Sequence, residues 1–128
     1  MKMPSTGLQW TYLSLALFGL VGTWYFNIQF MNEHGGVFKV VDFVKGGYAN
    51  NASTSLSNDI IVVGHAFFAW SFFEAKRLEI RGWWIYVALT FVIALAVMFP
   101  LFLMVRDQKV TQAESRSTAR AGRLAPTT

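Results

Sequence analysis

The chain carries no charged residue between Arg81 and Arg106. The run between them opens with Trp83-Trp84 and is otherwise almost entirely apolar. A helix of about 20 apolar residues crosses the hydrocarbon core of a bilayer, and tryptophan is enriched where such a helix meets the interface. The run therefore predicts a transmembrane helix over about residues 83–105, with Pro100 as a static kink inside it.

The composition points in the same direction. Of 128 residues, 54% are hydrophobic and 14% are charged, against roughly 25% charged in an average soluble domain. A soluble chain this short needs a more polar surface, so the predicted class is an all-α integral membrane protein. The absence of cysteine excludes disulfides, a thiolate nucleophile and cysteine-based metal sites. The net charge of +4 suits anionic lipid headgroups, and nothing in its pattern suggests nucleic acid.

Two further apolar segments predict transmembrane helices over about residues 8–31 and 57–75. The first has no charge between Lys2 and Glu33. It is longer than the core of a secretory signal and lacks a small-x-small cleavage site, which favours a retained helix over a cleaved signal. The second has Ser, Asn and Asp at its start, and these residues cap helices well.

The segments between and after these helices differ in character. The run 37–45 is apolar but too short to span and lies between two glycine pairs. It predicts a short interfacial helix between the first and second spans, although its valines are also compatible with an extended strand. After Lys109 the chain loses its hydrophobic period. We therefore divide it into a three-helix membrane domain over 1–109 and a disordered basic tail over 110–128.

A stripe of small and polar side chains follows the first helix at three- and four-residue spacing: Ala16, Gly19, Thr23 and Asn27. Small side chains let two helices approach closely within lipid. Asn27 could contact a ligand, but a stripe that packs helices together is the favoured interpretation.

The second helix contains the ionisable residues Asp59, His65 and Glu74. Asp59 and Glu74 lie about 22 Å apart along one helix and cannot form a carboxylate pair within it. We expect Asp59 to cap the helix and Glu74 to form an ion pair with Arg77 or Arg81. Because charged groups inside membranes are costly and often functional, proton or ion handling is the alternative.

His65 is the one candidate for cofactor binding. Its imidazole could be the axial ligand of haem or chlorophyll, and Gly64 beside it leaves room for a flat macrocycle. A single histidine cannot form a bis-histidine site, and His34 is not an evident partner. A hydrogen bond to a neighbouring helix is the favoured interpretation. We predict no catalytic residue and no metal site.

The order of residues from the first helix to about Lys109 resembles a family of small bacterial membrane proteins catalogued as a domain of unknown function. The resemblance is carried by Asn50-Asn51, Asp59, Glu74-Ala75-Lys76-Arg77-Leu78, Trp83-Trp84-Ile85-Tyr86 and Pro100-Leu101-Phe102-Leu103. Ala75 stands where the family pattern commonly has glycine, and His65 is not part of that pattern. The resemblance implies three membrane helices and transfers no activity.

These observations favour a non-enzymatic accessory or assembly subunit that packs with itself or with a larger membrane complex. The alternatives are an oligomeric small transporter or channel using Asp59, Glu74 and His65, and a haem- or pigment-binding protein using His65. The expected location is the bacterial inner membrane, with several spans in the lipid bilayer. With three spans, the count of Lys and Arg weakly favours a cytoplasmic C-terminus.

Overall fold

The structure, a computed structural model, describes residues 3–124. The all-α prediction is confirmed over this range, which contains five helices: α1 (Gly7–Glu33), α2 (Val40–Gly47), α3 (Asn51–Arg77), α4 (Trp83–Val92) and α5 (Leu95–Leu124). Two of them, α1 and α3, are long and apolar enough to cross a membrane. Each has 27 residues, which corresponds to about 40 Å of helix.

Side-chain caps determine where the two long helices begin. The Thr6 hydroxyl accepts a hydrogen bond from the backbone N–H of Gln9 and caps α1. In α3, Asn50 and Ser53 form a reciprocal capping box. Because this box satisfies the free N–H groups of the first turn, α3 begins six residues before the predicted start at residue 57. Residues 51–56, which lie before the predicted span, are thus the first turn and a half of the helix.

The third apolar run is two helices, and the predicted single helix over 83–105 is wrong. The ring centroids of Tyr86 in α4 and Phe102 in α5 are 5.5 Å apart. In one straight helix, residues sixteen positions apart would be separated by about 24 Å. The chain therefore reverses at Ile93–Ala94, and α4 and α5 form a helical hairpin.

Hydropathy could not reveal this reversal, because both arms of the hairpin are as apolar as one spanning helix would be. The residues before the turn include the β-branched Thr90, Val92 and Ile93, whose helix propensity is modest. Pro100 is not at the break but inside α5. There it lacks the N–H that would otherwise bond to the carbonyl of Ala96.

Helix α5 is the centre of the fold and packs against α1, α3 and α4. It runs antiparallel to α1, where Ala16 is buried in a cluster with Val97 and Met98. It runs parallel to α3, where the rings of Phe67 and Phe99 lie 4.5 Å apart. The packing stripe predicted on α1 is confirmed at Ala16, and its partner is this chain's own fifth helix.

The predicted short helix between the first two long helices is confirmed as α2. The ring centroid of Phe43 in α2 lies 5.3 Å from that of Phe30 near the end of α1, and that of Phe38, two residues before α2, lies 5.6 Å from it. The predicted disordered tail is corrected, because residues 110–124 continue α5. Alanine, glutamine, glutamate and arginine in this stretch are good helix formers, and no proline interrupts them. Residues 125–128 of that predicted tail lie outside the described residues.

Candidate functional site

A buried carboxylate joins α3 to α5. Glu74 is only 9% exposed. Its Oε2 accepts from Arg77 Nε at 2.9 Å, and its Oε1 accepts from Arg77 Nη2 at 2.6 Å and from Arg106 Nε at 2.5 Å. The predicted ion pair with Arg77 is confirmed. Arg106 is a second partner that the sequence did not predict, and it reaches Glu74 because the hairpin places α5 beside α3. Two guanidinium groups thus compensate one carboxylate that would be costly to bury alone.

A second buried polar side chain joins α1 to α5. Gln9 is completely buried, and its Nε2 donates to Asp107 Oδ2 at 2.8 Å. Its Oε1 accepts from the backbone N–H of Ser5 at 2.9 Å. Donor and acceptor are both used, as a buried amide requires. Asp107 follows Arg106 directly, so adjacent residues of α5 hold two different helices.

A third contact joins α4 to α3. Trp83 Nε1 donates to Ser71 Oγ at 2.8 Å, and the Ser71 hydroxyl donates to the carbonyl of Phe68 at 3.2 Å. Ser71 is completely buried. We call the set of Gln9, Ser71, Glu74, Trp83, Arg106 and Asp107 the polar end. It lies where α1 and α4 begin and α3 ends, and its hydrogen bonds tie four helices together.

A groove of about 480 Å³ lies between α3 and α4. Its walls include Ile61, Gly64, His65 and Phe68 from α3, together with Thr90 and Phe91 from α4. Histidine and threonine are the two polar side chains of a lining that is otherwise apolar. The volume is within the range of about 300–1,000 Å³ that is typical of small-molecule sites.

The imidazole of His65 has a defined hydrogen-bonding state. Its Nδ1 lies 2.7 Å from the carbonyl oxygen of Ile61. A carbonyl only accepts, so Nδ1 carries the proton in the neutral ring and Nε2 carries the lone pair. The expected bond to a neighbouring helix is wrong, because the partner belongs to α3 itself. Thr90 likewise donates to the carbonyl of Tyr86, at 2.8 Å, and offers only oxygen lone pairs for other contacts.

The structure does not bring the predicted polar residues together. The predicted cap at Asp59 is wrong, because Asn50 caps α3 and Asp59 is exposed inside the helix, in its third turn. His65 faces the groove, and Glu74 is buried at the polar end. Asn27 lies half-buried on α1. The side chains of Asp59 and Asn27 make no hydrogen bond to another described residue. Within residues 3–124, no group of three or more His, Asp or Glu side chains could hold a metal ion.

Helix α1 packs closely on α5 one turn before Pro100, at Ala96. A Cβ atom added at Gly19 would lie 2.7 Å from the carbonyl oxygen of Ala96. This is the carbonyl that Pro100 leaves without its helical N–H partner. The glycine lets the α1 backbone approach this carbonyl, where a weak Cα–H···O contact can replace part of the lost bond.

No protein of curated function and no solved structure matches the chain. A family model matches residues 11–108, about three quarters of the sequence. The matched region contains all five elements of the packed bundle, except for the first turn of α1 and the extension of α5 beyond the polar end. The predicted resemblance to a family without assigned activity is confirmed: the chain belongs to the family described as protein of unknown function DUF2834.

Proposed function

We propose that this is a small integral membrane protein that spans the bilayer with α1 and α3 and inserts α4–α5 from one side as a re-entrant hairpin. The exposure of apolar side chains carries this proposal. In the most apolar stretch of 18 residues, only 6% of α1 is buried, and only 17% of α3. Phe18 is 79% exposed, and Phe26 and Phe73 are each 70% exposed. The core helices of a soluble protein would bury such residues, whereas lipid would cover them.

The helix lengths fit this arrangement. Helices α1 and α3 are each longer than the hydrocarbon core of about 30 Å. Helix α4 has 10 residues, or about 15 Å, so the hairpin reaches about the middle of the core. At its turn the carbonyl of Ala94 accepts from the N–H groups of Val97 and Met98. Such pairing is what non-helical backbone needs at that depth.

The distribution of basic residues supports one orientation. Eight described Lys and Arg residues lie at the polar end or on the extension of α5 beyond it, and two lie at the opposite end. The eight are Lys76, Arg77, Arg81, Arg106, Lys109, Arg116, Arg120 and Arg123, and the two are Lys39 and Lys45. Cytoplasmic loops are enriched in these residues. We therefore place the polar end, together with the beginning of α1 and the end of α5, in the cytoplasm.

Within the bacterial inner membrane we propose a non-enzymatic accessory or assembly role, in which the protein packs with copies of itself or with a larger membrane complex. The polar groups of Glu74 and Gln9 are engaged in hydrogen bonds between helices, so neither side chain is available as a catalytic group. The outer faces of α1 and α3 are apolar and remain uncovered by this chain. A channel is less favoured, because His65 and Glu74 lie about 13 Å apart along α3 and Glu74 is already paired.

The absence of native cysteine makes single-cysteine labelling a clean test of the arrangement. Ala49→Cys marks the end opposite the polar end, and Ser117→Cys marks the extension of α5. A membrane-impermeant maleimide should label Ala49→Cys on intact bacterial cells and Ser117→Cys only after permeabilisation. Three straight spans would place both sites on one side, so equal labelling of the two variants refutes the hairpin arrangement. Membranes should also be washed at alkaline pH, which removes proteins that are not inserted. Release of the chain into the wash refutes membrane insertion.

The assembly role needs a separate measurement. The tagged chain should be purified from membranes in mild detergent and its mass measured under native conditions. Co-purification of other membrane subunits in fixed ratio, or a discrete homo-oligomer without ion flux in vesicles, supports the proposal. Specific ion flux from the reconstituted oligomer would instead support the channel alternative.

A further inference from the structure

We infer that the groove between α3 and α4 binds a metallated tetrapyrrole, with His65 Nε2 as its axial ligand. The inference rests on the proposed membrane location. His65 is twelve residues before Arg77, the last residue of α3, and fourteen after its first. It therefore lies about 18 Å from that end of the helix, near the middle of the bilayer. A lone pair that faces hydrocarbon at this depth is costly unless something satisfies it.

The polar atoms of the groove determine which chemical groups a ligand needs in order to bind there. His65 has already used its N–H on the carbonyl of Ile61, and Thr90 has used its O–H on the carbonyl of Tyr86. Both side chains therefore present electron pairs and no donor. A neutral apolar ligand with a Lewis-acidic centre matches this pattern, and a ligand that offers only acceptors does not.

The lack of other metal-ligating side chains near His65 among the described residues favours a metallated tetrapyrrole over a bare metal ion. A bare metal ion needs several protein ligands, and no suitable group of side chains exists in the described part of the chain. A tetrapyrrole supplies four nitrogen ligands itself and needs only one axial bond from the protein. The Nδ1–H bond to a backbone carbonyl is also the usual arrangement for a histidine that binds metal through its other nitrogen.

The walls of the groove suit a flat aromatic ligand. The rings of Phe68 and Phe91 lie 5.9 Å apart and bridge the two helices, so they can pack against the face or edge of a macrocycle. Gly64 adds no side chain to the groove, and a Cβ atom added there would lie 3.5 Å from Cδ2 of Leu95. The space of about 480 Å³ is partly open rather than enclosed.

The test uses haemin as its dimethyl ester, which has no free carboxylate, as the probe. It is titrated into the full chain in nanodiscs of zwitterionic lipid, with empty nanodiscs as the blank. We expect saturable binding of one haemin per chain and a shifted Soret band. His65→Ala should weaken binding by more than about tenfold and abolish the shift. His34→Ala is the matched control, because His34 Nδ1 lies 2.8 Å from the carbonyl of Phe30 in the same way but outside the groove. This control should bind as the parent chain does.

Two further variants distinguish loss of the axial ligand from misfolding of His65→Ala. Thr90→Phe keeps the histidine but fills the groove, and it should also lose binding. His65→Gly should regain the shifted band when free imidazole is added. Equal binding by the parent chain and His65→Ala, or a parent signal equal to that of empty nanodiscs, would overturn the inference. The cysteine labelling pattern does not depend on haemin, so correct labelling without binding refutes this site and leaves the membrane arrangement standing.

Discussion

Replacing Gly19 by alanine tests the contact between α1 and α5 on which the central position of α5 depends. The new Cβ would lie 2.7 Å from the carbonyl oxygen of Ala96, whereas ordinary van der Waals contact begins at 3.4 Å. The helices must then separate by about 0.7 Å, the difference between these distances. The obstacle is backbone, which cannot rotate aside as a side chain can. Overpacking of this kind typically costs about 1–3 kcal/mol.

Gly22→Ala is the matched control, because a Cβ at Gly22 meets no atom within 4 Å. Both substitutions gain about the same helix propensity, up to roughly 1 kcal/mol, so their difference isolates the contact with Ala96. Unfolding in mixed micelles, followed by circular dichroism as denaturing detergent is added, should show Gly19→Ala less stable than Gly22→Ala by about 1–3 kcal/mol. Free energies of unfolding that agree within about 0.5 kcal/mol would refute the close crossing, and with it the antiparallel placement of α5.

The same unfolding assay checks three predictions at the polar end. Glu74→Gln should cost about 1–3 kcal/mol, because it removes the charge that Arg106 and Arg77 share; no loss would contradict the buried ion cluster. Arg77→Gln should cost only about 0–1 kcal/mol, since that side chain is 60% exposed and Arg106 still compensates Glu74. A loss as large as that of Glu74→Gln would show that Arg106 alone does not compensate the carboxylate. Trp83→Phe should cost about 0.5–1.5 kcal/mol through the lost donor to Ser71, and an unchanged midpoint would argue against that bond.

The sequence was sufficient to predict that the apolar segments are helical, because composition and period determine that locally. It did not predict that α5 continues over residues 110–124. The first long helix was predicted to within about two residues at each end. The start of α3 was missed because Asn50-Asn51 and the serines that follow fit a loop as well as a capping box. The reversal at Ile93–Ala94 was missed for a different reason. It depends on contacts between α5 and helices far away in the chain, and hydropathy is the same for a span and a hairpin.

The polar end was only partly predictable for a similar reason. The bond between Glu74 and Arg77 follows from local helix spacing, so the sequence predicts it. Arg106 is 32 positions from Glu74, and nothing local connects the two. Gln9 was not singled out from the sequence, and its buried amide is bonded to Asp107 at the far end of the sequence. Side chains that bond across helices become recognisable only when the path of α5 is known.

The hairpin also affects how the chain would be made. In the proposed arrangement, only the connection between α1 and α3 has to be translocated, and its basic residues are Lys39 and Lys45. With the N-terminus in the cytoplasm, a third span would require a tail with five basic residues to be transported across the bilayer as well: Arg106, Lys109, Arg116, Arg120 and Arg123. With α4 and α5 folding back, that tail never leaves the side on which it is synthesised. Insertion of the last two helices then becomes a packing step, guided by α1 and α3, rather than a transport step.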